Sequence, residues 1–170
     1  MAITTTSSLR VELNWTQTDT GLGDNQARDS VTMSRTTQLT DGTGLSQANK
    51  VFYGTGLLAP GGSDTIDFQN LSRNLFGNNI SLSLDGGWLK FLSVENTSTG
   101  ANQFIELDNT IAQGQTGYAQ STVIPIYPSG IMAFSNPLSG WVINSSNRYV
   151  RINDGGAGST FEIGIVSANP

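Results

Sequence analysis

Hydrophobic and polar residues alternate along much of this chain. Leu9, Val11, Leu13 and Trp15 are separated by Arg10, Glu12 and Asn14, the period of two expected of a strand with one dry face and one wet face. The pattern returns in Ile80, Leu82 and Leu84 around Ser81 and Ser83, and in Val150 and Ile152 around Arg151. It returns again in Phe161, Ile163 and Ile165 between Thr160, Glu162 and Gly164. Further strands are predicted over 31–39, 50–58, 65–68, 88–94, 103–107, 122–126, 131–134 and 140–143. The segment from Trp88 is apolar on both faces, which predicts a strand in the interior of a sheet.

Turn chemistry separates these segments. Asp41-Gly42, Gly61-Gly62, Asp85-Gly86, Ser129-Gly130 and Asp154-Gly155-Gly156 supply residues that tolerate positive φ. Asp85-Gly86 predicts a hairpin joining the strand that ends at Leu84 to the one that starts at Trp88. A single helical turn is predicted over 70–76, where Leu71, Leu75 and Phe76 fall on one side. No long 3.6-residue periodicity occurs. Many short strands with one helical turn predict an all-β fold, a β-sandwich of jelly-roll-like form. The domain reading is an N-terminal arm over 1–8 and one sandwich over 9–170, with the polar stretch 16–29 as a long loop inside it.

Composition narrows the possible functions. At 170 residues the chain can bury roughly 70% of the surface it would expose unfolded, enough for one core. Charged residues make up only 12%, and the polar remainder is largely Ser, Thr, Asn, Gln and Gly. The eight Lys and Arg residues are scattered within a net charge of -5, so no concentrated positive field exists for nucleic acid or an anionic membrane. No apolar run approaches the ~20 residues that span a bilayer, and the first residues lack the charged-then-apolar layout of a signal peptide. Cysteine and histidine are both absent, which removes disulfides, thiolate chemistry, His-dependent triads and His-metal sites together.

What remains for chemistry is sparse. The pairs Asp64 with Asp67 and Glu106 with Asp108 are the candidates for a hydrolase, which needs two carboxylates facing one another across a cleft; the ordinary reading is solvated strand and turn carboxylates. Asp19, Asp24 and Asp29 share a glycine-containing stretch, but their spacing fits no calcium loop. Trp15, Trp88 and Trp141 are either sugar-stacking platforms or, more ordinarily, core and interface residues. The sequons at Asn14, Asn70, Asn79, Asn96 and Asn144 are accounted for by the abundance of Asn, Ser and Thr. The expectation is a protein with no catalytic residues, no metal and no cofactor.

Several blocks then carry a resemblance. They are Gln47-Ala48-Asn49-Lys50-Val51-Phe52, Asp64-Thr65-Ile66-Asp67-Phe68, and Asn74-Leu75-Phe76-Gly77-Asn78. Tyr127-Pro128-Ser129-Gly130 and Gly140-Trp141 follow, and the most distinctive is the run from Ile152 to Ile163 with its glycine-rich turn. Together, in scattered blocks over positions 45–166, they resemble small structural proteins of tailed bacteriophages, the capsid decoration (cement) and head-associated proteins. The stretch 16–29 has no counterpart in that pattern, and Ser129 stands where a second glycine often follows the proline. The resemblance implies a virion component on the outer capsid surface, made in the host cytoplasm without a signal peptide, whose partners are the major capsid protein and two further copies of itself in a homotrimer. Ile3, Thr4 and Thr5, in the Thr-rich leader ahead of the first strand, are the candidate docking residues. The alternative is a glycan- or host-receptor-binding module of a tail fibre or tail tip.

Overall fold

The computed structural model describes residues 7–19, 27–75, 78–81, 83–108, 123–136, 138–146 and 148–169. Eight strands form two antiparallel sheets. The first sheet contains β4 (Lys50–Leu58), β14 (Ser159–Ala168), β8 (Trp88–Asn96) and β11 (Ile131–Ser135) in that order, with the short β12 (Trp141–Val142) also pairing with β8. The second contains β5 (Ser63–Asp67), β13 (Tyr149–Asp154), β9 (Ile105–Asp108) and β10 (Ile124–Ile126). If these eight are counted along the chain, the first sheet takes the first, eighth, third and sixth, and the second takes the second, seventh, fourth and fifth. That interleaving is the jelly roll, so the expected all-β sandwich is the fold observed.

The alternation read from sequence explains the layering. Inward positions of β8 and β14, namely Leu92, Val94, Phe161, Ile163 and Ile165, meet Ile105, Leu107, Val150 and Ile152 of the second sheet in one apolar cluster. The outward positions of the same strands are half-buried. β8 lies between β11 and β14, as its two-sided apolar pattern predicts.

A second assembly precedes the jelly roll. β1 (Ser7–Asp19) pairs antiparallel with β2 (Ala27–Asp41) along its whole length, from Ser7 opposite Leu39 to Asp19 opposite Ala27. The end of β2 pairs in parallel with β3 (Gln47–Ala48), and the Asn49 N–H donates to the Ser167 carbonyl at 3.0 Å, which ties the ribbon to β14. Among the described residues no helix is long and apolar enough to cross a membrane.

Three expectations are corrected. The described part of 16–29 is strand throughout, with Gln17 opposite Asp29 and Thr18 opposite Arg28; 20–26 lies outside the described residues. The helical turn over 70–76 is instead strand β6 (Ser72–Leu75), paired with β7 (Asn78–Ser81), because ladder hydrogen bonds to 78–81 take precedence over the i,i+4 spacing of Leu71 and Leu75. Asp85-Gly86 does form a turn, with Gly86 at φ 71° and Gly87 N–H donating to Leu84 O at 2.8 Å, but it joins no hairpin. β7 pairs with β6, whereas both edges of β8 are taken by β11, β12 and β14.

The turn at Tyr127 to Gly130 places Ser129 in a conformation that favours glycine. Gly130 N–H donates to Tyr127 O at 2.8 Å, Pro128 occupies the second position, and Ser129 at the third has φ 61°. A turn of that kind favours glycine at its third position, because a Cβ crowds the left-handed region. Ser129→Gly is expected to raise stability by up to about 1 kcal/mol, read as a higher denaturant midpoint with unchanged slope.

Candidate functional site

The docking residues expected from sequence, Ile3, Thr4 and Thr5, lie outside the described residues, as does Asp24. Asp19 and Asp29 are ladder positions near the tip of the ribbon, opposite Ala27 and Gln17. Glu106 and Asp108 are alternate positions of β9, in register with Asn153 and Arg151 of β13. Asp64 and Asp67 fall on opposite faces of β5. Asp67 is committed to structure: it accepts the Gln69 N–H at 3.0 Å and pairs with the Arg148 guanidinium at 3.1 Å, over which Tyr149 lies at 4.5 Å. Among the described residues, no three acidic, His or Cys side chains are grouped to hold a metal. Trp88 and Trp141 are half-buried, and Trp141 packs against the core.

The residues the structure does bring together lie at one end of the sandwich, where four loops meet: 59–62, 97–104, 127–130 and 155–158. Asp154, 7% exposed at the end of β13, joins two of them. Its Oδ2 accepts N–H bonds from Gly61 at 3.0 Å and from Gly156 and Gly158 at 3.2 Å, and its Oδ1 accepts the Ser159 hydroxyl at 2.7 Å. Asn96, fully buried at the end of β8, joins the others by donating to Gln103 O at 2.7 Å and Ile126 O at 2.9 Å while accepting Ser98 N–H at 3.0 Å. Gln103 then donates to Gly158 O at 2.9 Å. A side chain at Gly156 would run into the backbone of Asn102, which accounts for the glycines of the most distinctive sequence block. Burial of Asn96 also makes its sequon inaccessible in the folded chain.

Burial alone would raise the Asp154 carboxyl, but the Ser159 hydroxyl and the Gly61, Gly158 and Gly156 amides together hold it below the usual carboxylate range. Because the folded value lies below the unfolded one, the stabilisation is complete above the ordinary carboxylate value and disappears as pH falls through the folded value. Asp154→Asn is therefore expected to cost about 2 kcal/mol at neutral pH. The gap from wild type should narrow on acidification below about pH 4, as chemical denaturation at a series of pH values would show.

A second feature was invisible in sequence. Val166 pairs with Phe91 but Ser167 pairs with Leu89, which makes Lys90 the extra residue of a β-bulge in β8. Lys90 is buried, at 1% exposure, and its Nζ donates to Leu138 O at 3.0 Å. It lies at the base of an open depression of about 310 Å³ formed with Trp88, Ser139 and residues 43–45. Burial lowers its pKa. A lysine lowered in the folded state costs stability while charged, and that cost is relieved as pH rises through the folded value toward the unfolded one. Wild type should gain stability across that alkaline window, whereas Lys90→Met should match or exceed it at neutral pH and show no such rise.

The outer face of the first sheet is the third feature. One row across it runs Ile131, Glu95, Glu162 and Thr55, with Tyr53 and Leu57 flanking Thr55 on β4. Tyr53, Leu57 and Ile131 are large apolar side chains left 61%, 80% and 63% exposed. Glu95 and Glu162 are directly opposite, an unfavourable cross-strand arrangement in isolation. The hydrogen bond from Tyr53 to Glu162, with partial burial and the negative charge of both glutamates, raises the Tyr53 pKa.

No protein-family model matches the chain. No curated protein matches it either. Among solved structures it is similar to a chain of the capsid asymmetric unit of cyanophage Pam1, at 19% identity and a TM-score of 0.40, covering 72% of this chain and 86% of that one. A likeness at that level defines neither fold nor function, and the jelly-roll assignment stands on strand order alone.

Proposed function

We propose that this chain is a structural component of a tailed-phage virion, a decoration protein that binds the outer capsid surface through the major capsid protein and stabilises the shell without catalysing a reaction. The observation that carries this reading is the outer face of the first sheet. A closed jelly roll leaves Tyr53, Leu57 and Ile131 exposed across its width, with two adjacent carboxylates between them. Such a surface fits a protein partner that covers the apolar side chains and brings basic groups to Glu95 and Glu162.

A further feature supports it: several of the sequence blocks that resemble decoration proteins fall on the frame, at β4, β5, the turn at 127–130, and the β13–β14 connection that Asp154 holds. Icosahedral repetition would then turn a small interface per copy into tight overall binding. A homotrimer, the arrangement the resemblance implies, would place three such faces at one capsomer junction.

Electron microscopy of particles with and without the protein tests this. Added density on the outside of the capsid is expected, with occupancy reduced at least about tenfold by Leu57→Asp combined with Glu162→Lys. Density on the tail, or specific binding on a glycan array, would move the assignment to a receptor-binding module.

A further inference from the structure

β4 is the last strand of the first sheet, and among the described residues β14 is its only ladder partner. Which of its backbone groups face away from the sheet follows from β14. Thr160 directs its N–H to the Ser98 hydroxyl at 2.8 Å and accepts the Thr97 N–H at 3.0 Å, both away from β4. The next residue, Phe161, therefore directs its own N–H and carbonyl toward β4, where it lies opposite Gly56. The register continues unbroken, so Phe52, Gly54 and Gly56 bond β14, and Tyr53, Thr55 and Leu57 hold their N–H and C=O groups out of the sheet edge. Among the described residues no backbone hydrogen bond reaches these three.

Sheet edges are ordinarily blunted by proline, charge, a bulge or shortness. β4 is nine residues long, and from Val51 to Leu58 it contains neither a proline nor a charged residue. The side chains of Tyr53, Thr55 and Leu57 are exposed as well. Past Leu57 the edge leads into an open depression of about 440 Å³, lined by Leu57, Leu58, Ala59, Pro60 and Thr160 among others.

Charge indicates what fits there. Glu162 lies directly across from Thr55, with Glu95 beside it, and among the described residues no lysine or arginine pairs with either glutamate. A strand laid against β4 would place the residue facing Thr55 two strand spacings, about 10 Å, from Glu162, within reach of a long basic side chain passing over the short threonine. The segments of this chain outside the described residues contain no lysine or arginine. A second copy pairing β4 with β4 would bring two more glutamates and no cation.

We infer that β4 is a strand acceptor: an extended segment of a different protein adds antiparallel to its edge and bonds Tyr53, Thr55 and Leu57. A lysine or arginine of that segment faces Thr55 and reaches toward Glu162 and Glu95, and an apolar side chain enters the depression past Leu57. Main-chain bonds supply affinity and alternate side chains supply selectivity. The inference deepens the proposed function and rests on it only for the source of the strand, the capsid partner.

The probe is the acetylated, amidated peptide Leu-Thr-Val-Thr-Lys-Thr-Val-Thr, titrated into isotope-labelled full-length protein and followed by amide NMR and hydrogen exchange. In the free protein the amides of Tyr53, Thr55 and Leu57 should exchange rapidly and those of Gly54 and Gly56 slowly; saturating peptide should slow all five. Replacing the peptide lysine by glutamate should weaken binding at least about fivefold, a preference that Glu162→Lys removes. Thr55→Pro, which deletes an N–H the fold does not use, should keep the native spectrum and weaken the peptide at least about tenfold. Thr55→Lys leaves the backbone intact and should weaken the lysine peptide comparably. Slow exchange at Thr55 in the free protein, no protection at millimolar peptide, full binding by Thr55→Lys, or a homodimer paired through β4 would overturn the inference. On particles, a Thr55→Lys protein that occupies the capsid normally would overturn strand addition and leave the virion reading standing. Wild type protected by the peptide but absent from the capsid would overturn that reading and leave the acceptor edge.

Discussion

Polar groups that water cannot reach must find partners inside the protein, and at one end of this sandwich that constraint fixes the arrangement of four loops. Asp154 and Asn96 satisfy it. Each places a polar side chain at the end of an inner strand, and each bonds the backbone of loops that are distant in sequence. Removing either would leave several buried donors or acceptors orphaned together, which is costlier than losing one exposed contact. The apolar cluster between the sheets supplies the driving force for closure. The polar network decides which loop sits beside which.

With that end held, the outer surfaces are free to differ from an ordinary monomer. The first sheet keeps large apolar residues and two adjacent glutamates on its exposed face. That surface does not help an isolated copy and becomes favourable when another chain covers it, which is the physical basis of the function proposed.

Much of this architecture was legible in the sequence because the alternation of β13 and β14 and the two-sided apolar pattern of β8 are strong and local. The Asp154 block was also legible as distinctive, although only the structure shows that its glycines are needed for close backbone approach and amide donation. Features set by distant partners were not legible. Lys90 becomes a bulge residue only through the register between β8 and β14, and nothing adjacent to it in sequence signals that. Asp85-Gly86 has the chemistry of a hairpin turn, but long-range pairing claimed the strand after it. The distal ribbon was hidden for another reason: Thr16 to Asp19 contain no apolar residue, so a true ladder looked like a loop.

The central claim, that side-chain bonds from Asp154 and Asn96 lock the four-loop end as firmly as the core, is tested most directly by native-state amide hydrogen exchange. The account predicts that the loop amides of Gly61, Ser98 and Gly158 exchange as slowly as those of β8 and β14, and only through global unfolding. Exchange at those amides at the rate of an ordinary exposed loop would contradict it.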